Sequence, residues 1–322
     1  MRTRRLGNTD LELTKVGLGT WAMGGPWQFG WGPQDDGEAI SAVLRALDNG
    51  INWIDTAPVY GLGHSEELVG RALKQTGEKP VIATKCGLLW NDRREKVSCL
   101  KRQSIRQECH ASLKRLGIET IDLYQMHWPQ PQEDIAEAWE EMVKLAEEGK
   151  VRYIGVSNFN VEQIELVRQI APVASLQPRY NMLHRNVEDE LLGYCAQNDI
   201  GVVVYSPMDR GLLTGKFSAE RLAGLPLDDH RRRKPDFQEP AFTATLELVE
   251  QLRPITERNS ITLAQLAISW VLRRSEVTAA IVGARRPDQI DETATASDVD
   301  LSSEDIEEID WLLTERREKI YS

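Results

Sequence analysis

The feature that most constrains the fold is a repeat in which short apolar runs alternate with amphipathic segments. Eight runs have the length of a strand: 16–19, 52–55, 81–85, 121–127, 151–157, 175–180, 201–205 and 279–282. Between two of them, Ile135, Ala138, Trp139 and Met142 recur at helical spacing. Eight strands separated by helices favour an α/β fold with a closed (β/α)8 TIM barrel. Strand counting alone leaves a doubly wound open sheet as an alternative.

Three segments depart from this repeat. Residues 2–6 and 11–15 flank the turn signal Gly7-Asn8-Thr9-Asp10, which predicts an N-terminal β-hairpin that plugs one end of the barrel. About 35 residues from Tyr205 to Pro240 hold no helical pattern until near their end, and loops of that length are usually functional or mobile. The serines in Leu301-Ser302-Ser303-Glu304-Asp305 predict the start of a terminal helix, one of the extra C-terminal helices. Because no shift in composition marks a boundary, we expect residues 1–322 to form a single domain.

Composition argues against several classes of protein. The 50 acidic residues outnumber 39 basic ones, which argues against a nucleic-acid partner. The four cysteines include no C-x-x-C pair, so we expect reduced thiols, without disulfides or bound metal. No run approaches the roughly 18 apolar residues of a membrane span, and none follows the charged N-terminus as in a secretory signal. These patterns predict a cytoplasmic protein without a membrane association.

Polar residues that suit acid–base chemistry follow the ends of three predicted strands. Asp55 ends the second strand and leads to Tyr60, Lys85 ends the third and His127 the fourth. In an α/β barrel these ends share one mouth, where catalytic groups sit. A buried lysine ammonium beside a tyrosine lowers the pKa of the phenol from about 10, so that the tyrosine serves as a general acid or base. The aspartate would hold the lysine, and the histidine would orient a carbonyl group.

The same residues lie in motifs that resemble those of the aldo-keto reductases. Residues 55–66 read Asp-Thr-Ala-Pro-Val-Tyr-Gly-Leu-Gly-His-Ser-Glu, which resembles the signature of that family, and His127-Trp128-Pro129 and residues 155–159 match further motifs. Residues 210–216 and 283–285 resemble the bacterial general-stress-type, NADPH-dependent branch. The resemblance implies that Tyr60 is the proton donor, that Lys85 lowers its pKa, that Asp55 pairs with Lys85 and that His127 orients the substrate.

The resemblance also implies a binding site for NADP(H). Ser157, Asn158 and Gln177 would hydrogen-bond the nicotinamide carboxamide, Tyr205 would stack on the ring, and Thr20, Trp21 and Asp55 would lie near the ribose. The expected contacts of the phosphates and the adenosine are Ser206, Pro207, Met208, Arg210, Lys216, Gly283, Ala284, Arg285 and Gln289. An arginine suits the 2′-phosphate, although Arg286 is an alternative to Arg285. Arg231 is either a latch that reaches the phosphates or part of a solvated basic patch.

Other motifs have simpler interpretations. Gly17-x-Gly19-x-x-Ala22 fits a dinucleotide fingerprint, but no helical pattern opens there, and we interpret it as a chance match. Glu66 and Glu67, at a predicted helix start, are interpreted as residues that stabilise the helix dipole.

The substrate is predicted to be a small-molecule carbonyl compound. Trp21, Trp27, Trp31, Trp90 and Trp128 fall in or near the loops at the mouth, and Trp21 and Trp128 are assigned to substrate binding with Tyr60 and His127. Two other functions fit the same motifs. One is a cofactor-sensing subunit similar to potassium-channel β subunits, and the other is a sugar or polyol dehydrogenase working in the oxidative direction.

Overall fold

A computed structural model describes residues 1–226 and 229–321. The strands are β1 Thr3–Arg5, β2 Glu12–Thr14, β3 Val16–Gly19, β4 Trp53–Asp55, β5 Val81–Cys86, β6 Leu88–Trp90, β7 Lys96–Ser98, β8 Ile121–Met126, β9 Val151–Ser157, β10 Ser175–Gln177, β11 Gly201–Tyr205 and β12 Ala279–Gly283. Eight of them close a parallel barrel in the order β3-β4-β5-β8-β9-β10-β11-β12. The barrel predicted from the alternation of strands and helices is therefore confirmed, and the open sheet is excluded.

Helices surround this barrel. They are α1 Asp36–Asp48, α2 His64–Leu73, α3 Arg102–Leu116, α4 Ile135–Glu147, α5 Val161–Arg168, α6 Leu191–Gln197, α7 Ala219–Ala223, α8 Ala241–Gln251, α9 Arg253–Arg258, α10 Leu263–Leu272, α11 Pro287–Ala294 and α12 Ser303–Tyr321. The predicted stripe on α4 is buried, with Trp139 and Met142 in the same apolar cluster as Tyr124 of the barrel. Ser302 accepts a hydrogen bond from the backbone of Asp305, which caps α12 as predicted.

The N-terminal hairpin covers the end of the barrel where the strands begin. Strands β1 and β2 pair antiparallel, and Leu6, Leu11 and Leu13 pack with Trp53 and Leu123 from the barrel interior. Gly7 turns the hairpin with a φ of +48°, and a Cβ there would lie 2.4 Å from the backbone nitrogen of Gly201. The turn therefore needs glycine both for its conformation and for its approach to the barrel. The predicted plug is confirmed.

The long segment after β11 differs from its prediction. It contains α7 and three short 3₁₀ turns, at Asp209–Thr214, His230–Arg233 and Pro235–Phe237. An apolar cluster of its own is formed by Leu212, Phe217 and Phe237 of this segment together with Phe242 of α8. The described residues of this segment pack around a small apolar core and show little helical periodicity, which is why the sequence pattern missed their structure.

Two further points bear on the sequence predictions. A 3₁₀ turn at Trp21–Met23 follows Gly19, so the glycine pattern opens no helix, as expected of a chance match. The hairpin of β6 and β7 was not predicted.

Within 1–226 and 229–321, no helix has the length and apolar character that crossing a bilayer requires.

Candidate active site

A cavity of about 330 Å³ opens at the carboxyl ends of the barrel strands. The predicted site residues that line it are Trp21, Asp55, Tyr60, His127, Trp128, Ser157, Asn158, Gln177, Tyr205, Ser206, Pro207, Met208, Arg210 and Gly283. The register of the strands produces this convergence, since Gly19 pairs with Asp55 and Lys85 with Gln125 across neighbouring strands. Sequence-distant residues therefore share one mouth because parallel strands end at the same side.

A buried ion pair lies at the base of the cavity, where Asp55 belongs to the lining and Lys85 lies behind it, outside the lining. Lys85 Nζ lies 2.6 Å from Asp55 Oδ1, and their side chains are 0% and 3% exposed. The ammonium also donates to the carbonyl of Thr56, while Asp55 Oδ2 accepts a 2.8 Å hydrogen bond from Gln177. Burial lowers the pKa of Lys85, and the charge and hydrogen bond of Asp55 oppose that shift. Such a pair is held in place by its hydrogen bonds and by the cost of exposing either charge alone.

Tyr60 stands above this pair on a 3₁₀ turn that follows β4. Lys85 Nζ lies 5.1 Å from the centroid of its ring, and the His127 ring packs edge-on at 5.8 Å. The turn is placed by a close backbone approach, because a Cβ on Gly61 would lie 2.0 Å from the carbonyl oxygen of Gly24. The tyrosine is thus fixed between the two loops that leave β3 and β4.

The pKa of Tyr60 departs from its prediction. Burial, followed by the charge of Asp55 and the neighbouring Tyr205, raises the pKa of the phenol well above its ordinary value. The sequence argument expected Lys85 to lower it. The reason for the difference is that Asp55 largely cancels the lysine charge, whereas the loss of water around the phenol is not cancelled. Tyr60 is therefore a neutral phenol over the neutral pH range, which is the form of a proton donor.

His127 follows β8 and is uncharged at neutral pH. Burial, then the charges of Lys85 and Lys96, lowers the pKa of its imidazole well below the ordinary value. Its backbone N–H donates to Cys86 and its carbonyl accepts from Asn158 Nδ2, which fixes the residue between two strand ends. A neutral imidazole in this position can donate one hydrogen bond to a carbonyl oxygen.

A connected set of polar side chains lies on the other side of the cavity. Ser157 Oγ donates to the carbonyl of Gln177 at 2.8 Å, and Tyr205 donates to Asn158 Oδ1 at 2.8 Å. Asn158 has a φ of +62°, an uncommon conformation for a residue other than glycine. Within the described part of the chain, no donor reaches the side-chain oxygen of Gln177. These side chains hold one another in place and leave an acceptor for a ligand.

The loop after β11 brings further polar groups to this side. Ser206, Asp209 and Arg210 all have positive φ values, and such strain persists where the surroundings impose it. Here the fully buried Asp209 accepts from Arg179 at 2.6 Å and from Arg210 at 3.1 Å, and Asn181 Nδ2 donates to the carbonyl of Ser206. The loop is therefore locked in a curled path that presents its backbone to the cavity.

Apart from Arg210, the predicted phosphate-binding cations lie beyond the cavity and differ in their partners. Lys216 pairs with Glu292, Arg231 with Asp229 at 2.6 Å, and Arg286 with Asp288 at 3.1 Å. Among the residues described, Arg285 meets only neutral oxygens, those of Trp31, Pro33 and Gln34. Burial, then the charges of Arg231 and Arg286, lowers the pKa of Arg285, which indicates a concentration of positive charge.

Several predicted contacts stand apart from the cavity lining. Thr20 is buried, with its hydroxyl bonded to Ser65 and to the Asp55 carbonyl; Gln289 accepts from the backbone of Arg285. Ala284, Arg285, Lys216 and Arg231 also lie outside the lining, as does Trp90. The interpretation of Arg231 as part of a solvated patch is wrong, since its guanidinium is buried over the Trp31 ring at 4.4 Å.

Glu66 also differs from its interpretation. It is fully buried, 2.7 Å from Arg115, and accepts a hydrogen bond from Thr84 on β5. Its role is therefore to tie α2 to α3 and to the barrel rather than only to stabilise a helix end.

Sequence reasoning missed part of the lining. Those residues include Phe29, Val59, Leu88, Lys96, His230 and Lys234. Val59 lies within the motif at residues 55–66, whereas the others lie in loops and in the β6–β7 hairpin, where no periodicity or assigned motif marks them. The one available signal was position, since each follows a barrel strand.

Comparisons with known proteins agree with this fold. The sequence profile described as the Aldo/keto reductase family matches residues 15–314. The chain is 40% identical over 316 residues to "Aldo-keto reductase YhdN" of Bacillus subtilis, covering 97% of this chain and 94% of the relative. It is 38% identical over 320 residues to "NADH-specific methylglyoxal reductase" of Escherichia coli, covering 95% and 96%.

Solved structures show the same likeness. The glycerol dehydrogenase of Gluconobacter oxydans superposes with a TM-score of 0.90 at 39% identity, covering 98% of this chain and 95% of that one. An aldo-keto reductase of Bacillus halodurans in its holo form superposes at 0.78 with 26% identity, covering 97% and 96%.

Proposed function

Because the chain belongs to the aldo/keto reductase family, we propose that it transfers a hydride between NADPH and the carbonyl carbon of an aldehyde or ketone. Membership of this family shows that the protein is an oxidoreductase. The identities of its cofactor and of its catalytic residues are proposed from the site. The observation that carries it is the neutral Tyr60 phenol between the buried Lys85–Asp55 pair and His127, in a cavity at the strand ends.

In this proposal Tyr60 and His127 bind the oxygen of the substrate carbonyl together. A bound reduced nicotinamide would supply the hydride to the carbonyl carbon, so that negative charge would develop on that oxygen. Tyr60 then donates its proton to the oxygen. The Lys85 ammonium, which lies 5.1 Å from the centroid of the Tyr60 ring, stabilises the phenolate that forms. The neutral His127 donates a hydrogen bond and so orients the carbonyl without competing as a proton donor.

The residues present suit a nicotinamide dinucleotide. The free side-chain oxygen of Gln177 is an acceptor for a carboxamide N–H, and Tyr205 offers a ring face beside it. The curled loop from Ser206 to Arg210 presents backbone and a guanidinium to a pyrophosphate. The Arg285 charge, which no carboxylate of the described chain neutralises, suits a dianionic 2′-phosphate and supports NADPH over NADH.

A second candidate function is the oxidation of a polyol by the same residues. It is favoured by the likeness to the glycerol dehydrogenase of Gluconobacter oxydans. In that direction Tyr60 must act as a base. Because burial raises the pKa of its phenol, the phenolate is scarce at neutral pH, and we expect the rate of oxidation to rise with pH.

The proposed function is tested with Tyr60→Phe, which removes only the phenolic oxygen. Loss of a general acid costs roughly 10²- to 10⁴-fold in rate, so we expect kcat for aldehyde reduction to fall by that factor. The binding of NADPH, measured by quenching of tryptophan fluorescence, should change little. Tyr153→Phe is the matched control, because Tyr153 bonds Asp10 of the N-terminal hairpin and is remote from the mouth. Undiminished turnover by Tyr60→Phe would refute the assignment.

A further inference from the structure

The charges that line the cavity are unevenly balanced. Asp55 is the one carboxylate in the described lining, and Lys85 already neutralises it from beneath. Three cationic side chains line the same space: Lys96, Arg210 and Lys234. A bound molecule therefore meets a surplus of positive charge.

Two of these cations belong to the side where the cofactor phosphates are proposed to bind. Arg210 lies in the curled loop and contacts Asp209 at 3.1 Å. Burial and the charges of Arg210 and Arg179 lower the pKa of Lys234, which places it beside that loop. The excess of positive charge on this side would be neutralised by the pyrophosphate of the proposed cofactor.

Lys96 lies on the opposite side, in the β6–β7 hairpin. It pairs with Trp90 across the hairpin, and its backbone N–H donates to Gln28 Oε1 at 3.1 Å, which joins the hairpin to the loop that carries Trp27. The wall of the cavity that this hairpin forms also includes Leu88, which clusters with Trp27 and Tyr60. Lys96 is therefore on the substrate side, and its charge contributes to the lowered pKa of His127.

Lys96 also lacks a counter-ion of its own. No carboxylate in the described part of the chain lies within 4.0 Å of its ammonium, whereas many surface lysines and arginines of this protein are paired. Lys96 is half-buried, with Trp90 opposite it in the hairpin and Leu88 and Trp27 in the same lining, so an ion pair formed there is partly shielded from water and strengthened. The cavity is about 330 Å³, which leaves room for only a small molecule beside a nicotinamide ring.

We propose that Lys96 is a specificity-determining residue that binds an anionic group of the substrate, so that the preferred substrates are small aldehydes bearing a carboxylate or a phosphate. The inference rests on the proposed function, because it names the substrate class of the same site. It also narrows the predicted small-molecule carbonyl substrate to an anionic one, since Lys96 places a charge among the aromatic residues of the lining.

The test compares each anionic aldehyde with a neutral counterpart that carries the same reactive carbonyl group. The probes are 4-oxobutanoate against 4-oxobutanamide, and glyceraldehyde 3-phosphate against glyceraldehyde, so that the two pairs separate carboxylate from phosphate. The quantity measured is the ratio of kcat/KM for the anionic member to that for the neutral member. We expect a ratio above about ten in at least one pair, the value of one charge-assisted contact.

Variants of Lys96 then test whether this residue causes the preference for anionic aldehydes. Lys96→Met should lower the ratio about tenfold, mainly through KM for the anionic aldehyde, and Lys96→Glu should lower it further. Lys96→Arg should retain the preference. The control is Lys79→Met, because Lys79 is exposed just before β5 at the opposite end of the barrel, and it should keep the wild-type ratio.

The outcomes separate the two proposals. Turnover of the neutral aldehydes, with a ratio that Lys96→Met and Lys96→Glu leave unchanged, would overturn the role of Lys96 alone. No cofactor oxidation with any aldehyde would overturn the proposed function and the inference with it. A fall in the ratio with retained thermal unfolding temperature would support both.

Discussion

Replacing Lys85 by Met should destabilise the protein far more than the loss of one surface charge. The substitution leaves the Asp55 carboxylate, which is 2% exposed, without the cation 2.6 Å from its oxygen. Removing one partner of a buried ion pair costs about 3–5 kcal/mol, because the remaining charge is buried and uncompensated. Adding Asp55→Asn removes that charge, and its amide oxygen can still accept from Gln177 Nε2. The double variant should therefore be more stable than Lys85→Met alone.

The measurement is urea unfolding of the wild type, both single variants and the double variant, followed by tryptophan fluorescence and circular dichroism. Arg45→Met with Asp291→Asn is the control cycle, since that pair has a similar 2.7 Å separation but is 46% and 45% exposed. Exposed pairs contribute little, so we expect almost no coupling there. If the free-energy changes at Lys85 and Asp55 simply add, the buried pair is not coupled and the reasoning fails.

Two further predictions concern the cofactor and the pH dependence of stability. Arg285→Ala should weaken NADPH binding at least tenfold more than NADH binding, because its charge suits a 2′-phosphate; equal losses in fluorescence titrations would exclude that role. Burial raises the pKa of Glu108 to about 7, so the folded state holds its proton more tightly than the unfolded state does. That contribution to stability is complete near pH 4 and is lost as pH rises through 7. The free energy of unfolding of Glu108→Gln relative to that of the wild type should therefore rise by roughly 2–3 kcal/mol from pH 5 to pH 8, and a constant difference in urea unfolding would contradict this.

Much of the fold followed from local pattern. The spacing of Ile135, Ala138, Trp139 and Met142 predicted both α4 and its buried face, and the strand-length runs predicted the barrel. The predicted ends of strands were less accurate where a proline interrupts an apolar run. The strand predicted over 175–180 ends at Gln177, because Pro178 has no N–H to continue the ladder.

The residues assigned to catalysis could be found from sequence because each follows a barrel strand. Position along the chain then implies position in space, and Asp55, Tyr60 and His127 converge on the cavity as expected. Phe29, Lys96 and His230 come to the same cavity from long loops and a hairpin. Their placement depends on contacts between distant segments, such as the hydrogen bond from the Lys96 backbone to Gln28.

The sequence by itself therefore determined the architecture and the identity of the central polar residues, since both depend on periodicity and on the order of strands. The tertiary structure decided their electrostatics. Whether Tyr60 has a raised or lowered pKa depends on how completely the barrel removes water and on the Asp55 charge beside Lys85. The charge presented to a substrate likewise depends on which lysines lack a carboxylate in three dimensions. The pKa of Tyr60 and the charge of the cavity both depend on the combined effects of neighbours that lie far apart along the chain, so no local sequence pattern encodes either property.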